Sequence, residues 1–382
     1  MSPRPPLPVL LLTVLGFCVL YAPQPLLPVL AGEFQRTAAD ASLLITVTLF
    51  PLAVAPLLYG YLLEGLPTRH MMTAATGVLF FCQAGMAWAH QWWELVVLRT
   101  VEGLALPALF TSLVTFVATS APRSQLRQVL AWYVAAMILG GFAGRAVTGL
   151  VASAGNWRVA LGVWVPPLLL MAVAAARLPD GGRTHFTHLT PRIFREVLAE
   201  PGLARAYLAI LCIFFVFAGL LNLLPFRLSA LDPSITSTGI GLAYAGYLSG
   251  IAVSLGAQRI RDRLRTEPRT LALGIGLYAL GLTLLALPSV PGTYVAMFAF
   301  CGGMFLVHTR LAGQVNHLSE RHRGVVNGIY IAAYYLGGSL GSWLPALVYR
   351  RGGWDLFLGA LGLVLALGAW NLRRFLAEST TT

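Results

Sequence analysis

The chain has 382 residues, of which 57% are hydrophobic and only 10% charged. A typical soluble domain has about 25% charged residues, so a soluble protein is excluded and the composition indicates a fold that lies in a bilayer. All 26 basic residues are arginines, and the net charge is +12. They lie mostly in short connections between apolar segments, which favours a role in membrane topology over nucleic-acid binding. We expect no nucleic-acid partner.

Twelve apolar segments follow along the chain, each about as long as a membrane-spanning helix, which needs roughly 20 residues. They are predicted at 7–30, 41–63, 70–89, 95–118, 129–152, 159–176, 206–226, 238–257, 270–288, 293–315, 325–348 and 355–372. The first is too long for a cleaved signal peptide. One longer connection, rich in proline and glycine, separates the sixth span from the seventh. We therefore predict an N-terminal bundle (1–177), a linker (178–205) whose end forms a short interfacial helix, and a C-terminal bundle (206–382).

The arginines predict the orientation of these spans. With both termini in the cytoplasm, eighteen arginines lie on the cytoplasmic side, five on the opposite side and three inside spans. Short cytoplasmic loops of membrane proteins carry an excess of basic residues. Both termini and the linker are therefore predicted to be cytoplasmic.

The two halves of the chain repeat. Segment 133–157, which begins in the fifth span, and segment 330–354, which begins in the eleventh, share a tyrosine, two alanines, three glycines and a tryptophan at an offset of 197 residues. Gln24 and Asn222 correspond at an offset of 198. Six spans, a linker and six related spans predict an all-α membrane protein of two pseudo-symmetric bundles. This is the architecture of major facilitator transporters, which bind substrate between their halves.

Three segments carry a closer resemblance. Residues 21–30, 140–145 and 222–228 resemble the first-, fifth- and seventh-helix signatures of the YnfM-like permeases, a group within that superfamily. The resemblance implies a multi-pass protein of the bacterial inner membrane that exports small molecules, driven by protons. It leaves the substrate open, and it implies no cofactor and a monomer in the lipid bilayer.

The same resemblance implies a gating role for the loop after the second span. In the superfamily this loop latches the halves together in the outward-open state. Here it contains Gly60, Glu64 and Arg69, with glutamate in place of the usual aspartate. Asp262 and Arg263 are the counterparts in the second half. The alternative interpretation is a solvated basic loop.

Five ionisable residues stand well inside spans, namely Arg99, Glu102, Arg145, His308 and Arg310. Such residues mark functional sites by default, because a buried charge needs a partner or a cavity. Arg99 and Glu102 share a helix face, and Arg145 lies at similar depth, so the three are expected to cluster. Glu102 is either a proton carrier or half of a structural ion pair, and the excess positive charge can meet an anionic part of a substrate. His308 is either a proton relay or a packing histidine, while Arg310 is expected to reach towards the cytoplasm.

The remaining cavity candidates are polar and aromatic residues inside spans. Together with Arg99 and Arg145, the expected lining consists of Tyr21, Gln24, Asn222, Asn327, Tyr330 and Tyr334. Aromatic walls with few polar groups suit amphipathic ligands.

Other classes of function are less consistent with the sequence. With only one acid and one histidine deep in the spans, no constellation for an enzyme or a metal site is expected. The absence of lysine excludes a phosphate-binding loop, and with it an ATP-driven pump in this chain. The sequence predicts a secondary transporter that exports small amphipathic molecules or metabolites by alternating access. A proton-symporting uptake carrier and a non-transporting receptor of the same fold remain open.

Overall fold

The structure is a computed structural model that describes residues 6–62, 65–122, 125–179, 190–318 and 323–379. Regular secondary structure in these ranges consists of α-helices and two short 3₁₀ turns. The helices of the first half are α1 (Leu7–Tyr21), α2 (Leu27–Glu33), α3 (Ala38–Leu62), α4 (Thr68–Ala87), α5 (Trp92–Ser120), α6 (Leu126–Ala154), α7 (Trp157–Gly162) and α8 (Val165–Ala176).

A short helix, α9 (Pro191–Ala199), begins where the linker was predicted to end in a helix. The helices of the second half are α10 (Leu203–Leu231), α11 (Ser237–Ala243), α12 (Tyr247–Leu264), α13 (Glu267–Leu284), α14 (Val290–Leu318) and α15 (Arg323–Ser379). Helix α15 contains two helical parts, because Gly352 and Gly353 have non-helical backbone angles. Gly353 has φ +67°, a left-handed conformation that glycine adopts without steric cost.

Two spans of the repeat are each interrupted by a 3₁₀ turn. Gln24–Leu26 joins α1 to α2, and Tyr244–Gly246 joins α11 to α12. At the first break, Pro23 and Pro25 flank Gln24, and each proline removes a backbone donor from the helix. The break brings Gln24 to the point where the helix direction changes.

The predicted fold class is confirmed. Taking α1–α2, α7–α8 and α11–α12 as single spans and α15 as two, the described residues form twelve spans close to the predicted boundaries. Nine described segments are long and apolar enough to cross a membrane, the last of which, Gly324–Glu378, contains two helices. Large apolar side chains such as Phe81, Trp88 and Leu363 are more than two-thirds exposed, which suits helices that face lipid.

The chain forms two compact packing units. The first packing unit comprises Met1–Leu52, Tyr61–Phe186 and Pro233–Tyr244. The second comprises Ala53–Gly60, Thr187–Asp232 and Ala245–Thr382. Each unit thus contains a short piece from the other half of the chain. Residues 180–189 of the predicted linker lie outside the described part.

Matching glycines hold corresponding helices together in each unit. Helix α6 packs on α1 in the first unit and α15 packs on α10 in the second, and in both a glycine meets a carbonyl oxygen of the partner helix so closely that an added Cβ would overlap it. The four pairs are Gly140 with Val14, Gly144 with Cys18, Gly337 with Leu211, and Gly341 with Phe215. All four residues of the second unit lie 197 positions after those of the first. The repeat therefore extends to atomic packing, where small residues allow close helix approach.

Helix α11 packs against α6 within the first unit. The amide of Thr238 donates to Ser153 Oγ at 2.9 Å. A Cβ added at Gly241 would lie 2.7 Å from the Arg145 carbonyl oxygen, and one at Gly149 would overlap the Ser237 carbonyl. Backbone therefore lies directly against backbone along this contact.

Candidate functional site

A fully buried ion pair lies in the first packing unit on α5. Arg99 Nη1 is 2.5 Å from Glu102 Oε2, and neither side chain is exposed at all. The two residues are three apart and therefore share a helix face. The pairing is the one that the sequence spacing favours.

The rest of the Arg99 guanidinium binds backbone oxygens of two other helices. Its Nε donates to Leu44 O at 2.9 Å, Nη1 to Val19 O at 3.0 Å and Nη2 to Leu20 O at 2.7 Å. The Thr48 hydroxyl in turn donates to the Arg99 carbonyl at 3.0 Å. Arg99 therefore ties α5 to α1 and α3, and its charge is compensated by carbonyl dipoles as well as by Glu102.

A third member of this cluster, Gln83 on α4, was not predicted. Its Nε2 donates to Glu102 Oε1 at 2.7 Å, and the residue is fully buried. Its Oε1 is also buried and has no hydrogen-bond partner among the described residues. The signal that could have found it is that Gln83 is the only amide side chain in the third span. We call Arg99, Glu102 and Gln83 the buried acid cluster.

Arg145 on α6 lies among different neighbours. Its Nε donates to Gln24 Oε1 at 2.5 Å and its Nη1 donates to the Gly141 carbonyl. The guanidinium carbon lies 4.0 Å from the ring centre of Tyr21 and 4.7 Å from that of Tyr244, distances typical of cation–π contacts. The structure thus brings together three predicted lining residues, and it adds Tyr244, which the sequence did not suggest.

The expected three-residue cluster is not formed. Within the described residues, the hydrogen-bond and ion-pair partners of Glu102 are Arg99 and Gln83, and Arg145 is not among them. Similar depth predicted the cluster, but depth does not determine the direction in which a side chain leaves its helix. The break between α1 and α2 places Gln24 where it binds Arg145 instead.

The second packing unit contains an aromatic cluster around His308. The His308 Nδ1 lies 3.1 Å from the Tyr330 hydroxyl, and the ring of Tyr334 lies 4.8 Å from the imidazole. Tyr334 is also stacked on Phe214, with ring centres 3.6 Å apart. The half-buried Asn327 is on the same helix, one turn before Tyr330. The structure therefore groups three of the predicted residues on α14 and α15.

Asn222, the repeat counterpart of Gln24, is fully buried on α10. Its Nδ2 donates to the Ser342 carbonyl at 2.9 Å. Ser342 lies 197 positions after Arg145. This repeat position therefore binds the amide side chain of its partner helix in both halves, through a guanidinium at Arg145 and through a backbone carbonyl at Ser342.

Arg310 makes its contacts away from the aromatic cluster. Its Nε donates to Glu267 Oε2 at 3.1 Å and its Nη1 to Gln258 Oε1 at 3.0 Å. Glu267 also lies 3.4 Å from Arg261. His308 and Arg310 thus contact different groups, in keeping with their angular separation around α14.

The predicted gating residues are only partly described. Gly60 lies in α3, Arg69 lies in the first turn of α4, and Glu64 is outside the described residues. In the second half, Asp262 accepts hydrogen bonds of 3.0 and 3.3 Å from a glutamine and an arginine of its own helix. Arg263 is exposed.

Comparison with known proteins identifies the family. Residues 9–309 and 208–381 match the sequence profile of the Major Facilitator Superfamily. The chain belongs to this superfamily. It is 26% identical to the inner membrane transport protein YnfM of Escherichia coli strain K12, over 92% of this chain and 86% of that protein. It is also 26% identical to the uncharacterized MFS-type transporter YybF of Bacillus subtilis strain 168, over 95% and 91% of the two chains.

Solved structures show the same fold. The nucleoside transporter NupG superposes with a TM-score of 0.76, covering 97% of this chain and 99% of that one at 12% identity. Together with the family match, this makes the chain a multi-pass transporter of a small-molecule substrate rather than an enzyme. In the described residues of this major facilitator protein, no group of three or more acidic, histidine or cysteine side chains could hold a metal.

The buried groups of this transporter differ in chemical capacity. The buried acid cluster contains a carboxylate, a group that can carry a proton, whereas Arg145 offers a planar guanidinium with several hydrogen-bond donors. The His308 cluster offers aromatic faces and one imidazole.

Proposed function

We propose that this transporter exports a small amphipathic molecule in exchange for protons by alternating access. The observation that carries the proposal is Glu102, the one acidic side chain that is fully buried among the described residues. An ionisable residue at membrane depth is costly and is typically retained for function.

The surroundings of Glu102 are compatible with a change of charge. If Glu102 took up a proton, Arg99 would still donate to three backbone carbonyls. The guanidinium would therefore not be left without partners in an apolar environment, a state that is strongly unfavourable. His308 is the second candidate for proton coupling, through its contact with Tyr330.

The substrate class follows from the remaining cavity candidates. Arg145, with Tyr21 and Gln24, offers a buried positive charge that suits an anionic or carbonyl-bearing group. In the second unit, Tyr330, Tyr334, Asn222 and Asn327 offer aromatic surface with few polar atoms, which suits an apolar or aromatic body. Each feature suits one part of an amphipathic molecule, the substrate class that the sequence predicts.

The proposed topology places both termini and the linker 178–205 in the cytoplasm of a bacterium, with bundles 1–177 and 206–382 in the inner membrane as a monomer. It is supported by the arginine distribution and by the name of YnfM, an inner membrane transport protein. The gating role of Gly60, Glu64, Arg69, Asp262 and Arg263 belongs to the same proposal. A reporter fused after Thr382 that was active only in the periplasm would contradict this orientation.

Transport can be tested in proteoliposomes with two labelled probes of equal size, an aromatic sulfonate and an aromatic quaternary amine. We expect wild-type protein to exchange the sulfonate and to accumulate it under a pH gradient. Glu102→Gln should keep exchange and lose the response to the gradient, whereas the control Thr76→Val, a buried polar change on α4, should behave as wild type. Accumulation by Glu102→Gln would make Glu102 purely structural. Binding of the sulfonate without exchange by wild-type protein would favour a receptor.

A further inference from the structure

Only one of the two polar atoms of the Gln83 amide has a hydrogen-bond partner among the described residues. Its nitrogen donates to Glu102 at 2.7 Å, while its oxygen is buried and unpartnered among the described residues. Buried polar atoms are rarely left without a hydrogen bond, and each exception calls for an explanation. Here the unsatisfied acceptor belongs to the same side chain that contacts the buried carboxylate.

An amide can serve both protonation states of a carboxyl group. An ionised carboxylate only accepts hydrogen bonds, whereas a protonated one also has an O–H donor. The NH₂ group of Gln83 complements the first form, and its carbonyl oxygen complements the second. Rotation of the terminal amide by half a turn exchanges the two, since its last torsion is broad and roughly two-fold.

We propose that Gln83 is a positioning residue that holds Glu102 in either protonation state by turning its amide. The inference rests on the proposed proton-carrying role of Glu102. When Glu102 is ionised, Gln83 Nε2 donates to it. When a proton from the aqueous phase binds Glu102, an O–H bond forms, the hydrogen bond from Nε2 breaks, and the new O–H donates to Gln83 Oε1.

Proton uptake changes the net charge of the ion pair by one unit. The ion pair has no net charge before the proton binds and a charge of +1 afterwards, which Arg99 carries among the carbonyls of Val19, Leu20 and Leu44. No covalent bond other than the O–H bond is made or broken. Gln83 keeps one hydrogen bond to the carboxyl group throughout.

Few other titratable groups bear on Glu102. On α4 the Cys82 thiol interacts electrostatically with both Glu102 and Arg99. Helices α1 and α3 present backbone carbonyls to the cluster, and α3 adds the Thr48 hydroxyl. On α6 the fully buried charged residue is Arg145, whose contacts are described above. Arg99 and Cys82 are therefore the groups that most directly influence the titration of Glu102.

The test is infrared difference spectroscopy of the purified full-length protein across a pH series, which needs no substrate. A protonated carboxyl group has a characteristic C=O stretching band, and Glu102→Gln identifies the band of Glu102 by its loss. Gln83→Met has similar volume and no amide. We expect it to keep the band, move it to higher frequency because the O–H has lost its acceptor, and shift its pH midpoint by about one unit.

The controls separate the possible failures. Thr76→Val, two turns earlier on α4, should leave frequency and midpoint unchanged. Should Gln83→Met not fold, Gln83→Asn, whose amide is one methylene short of Glu102, gives the same comparison. An unchanged band and midpoint in either Gln83 variant would overturn the role of Gln83 while leaving Glu102 as proton carrier. If Glu102→Gln removes no band at any pH, the proton-carrying role fails first, and the inference with it.

Discussion

The two packing units share their backbone contacts and differ in what they bury. In both, glycines at positions 197 residues apart press a helix of the fifth-span type against one of the first-span type. The first unit buries Arg99, Glu102 and Arg145 without exposure. At the same offset, the second unit has Ala296, Ala299 and Ser342.

The second unit instead buries a cluster of aromatic rings. Phe214, Phe217, Phe300 and Phe305 stack or meet edge to face, and Tyr334 continues the cluster towards His308. The repeat therefore retains the close helix contacts, while the chemistry of the buried side chains has diverged. The fully buried side chains Arg99, Glu102 and Arg145 therefore lie in the first unit, whereas a stacked aromatic cluster lies in the second.

The largest expected effect is the loss of Arg99. Arg99→Ala leaves the Glu102 carboxylate buried without its cation and should lower the free energy of unfolding by about 3–5 kcal/mol. Thermal unfolding in detergent measures this loss of stability. The double variant Arg99→Ala, Glu102→Ala copies Ala296 and Ala299 of the second unit and should lose less than Arg99→Ala alone, because no charge is orphaned.

A matched control for this prediction is Arg158→Ala, whose side chain is 31% exposed and paired with Glu33. Exposed ion pairs contribute about 1 kcal/mol or less. Equal losses for Arg99→Ala and Arg158→Ala would show that burial does not distinguish the two pairs.

The shared glycines should respond alike in both units. Gly144→Ala and Gly341→Ala each force a Cβ against a backbone carbonyl, and each should cost about 1–3 kcal/mol through overpacking. Gly313→Ala has no neighbour within 4 Å and should be neutral or gain up to about 1 kcal/mol of helix propensity. A loss in only one unit, measured by thermal unfolding, would contradict the equivalence of the two contacts.

Substitutions of Arg145 test the chemistry that differs between this position and its repeat equivalent, Ser342. Arg145→Lys keeps the charge and loses the planar fork that reaches both Gln24 and Gly141, so we expect about 1–2 kcal/mol less stability. In Arg145→Lys, binding of the aromatic sulfonate should be affected more strongly than protein yield. Arg145→Ala should reduce both the binding and the yield. Unchanged affinity and stability in the lysine variant would remove the proposed ligand role.

The smallest expected effect concerns equivalent tyrosines. Tyr330→Phe removes the hydroxyl that contacts His308 and should cost about 0.5–1.5 kcal/mol. Tyr133, 197 residues earlier, is buried, and its hydroxyl has no hydrogen-bond partner among the described residues. Tyr133→Phe should therefore be close to neutral. Equal losses in both would indicate that the contact with His308 contributes nothing to stability.

Most of the fold followed from the sequence because its signals are local. Apolar length gives each span, and the offset of 197 between the tyrosine-and-glycine motifs gives the repeat. The α5 ion pair followed from the spacing of Arg99 and Glu102. These inferences need only the geometry of one helix.

What the sequence could not provide is the relation between helices. The partnership of Gln83 with Glu102 depends on how α4 is rotated against α5, and no spacing along the chain reports that rotation. Arg145 was expected near Glu102 from depth alone, whereas a helix break beside two prolines places Gln24 next to it. Tyr244 joined the site because a piece of the second half packs in the first unit.

The late position of α11 in the chain affects the order in which the first unit is completed. Helix α6 ends at Ala154, but the segment that covers its Gly149 and Ser153, α11, ends at Ala243. At 5–20 residues per second, the ribosome needs about 5–20 seconds to make the residues between them. During that interval the first unit is inserted without one of its own parts. Substitutions on the α6-facing surface of α11 should therefore act late in biogenesis, after the earlier helices have already crossed the membrane.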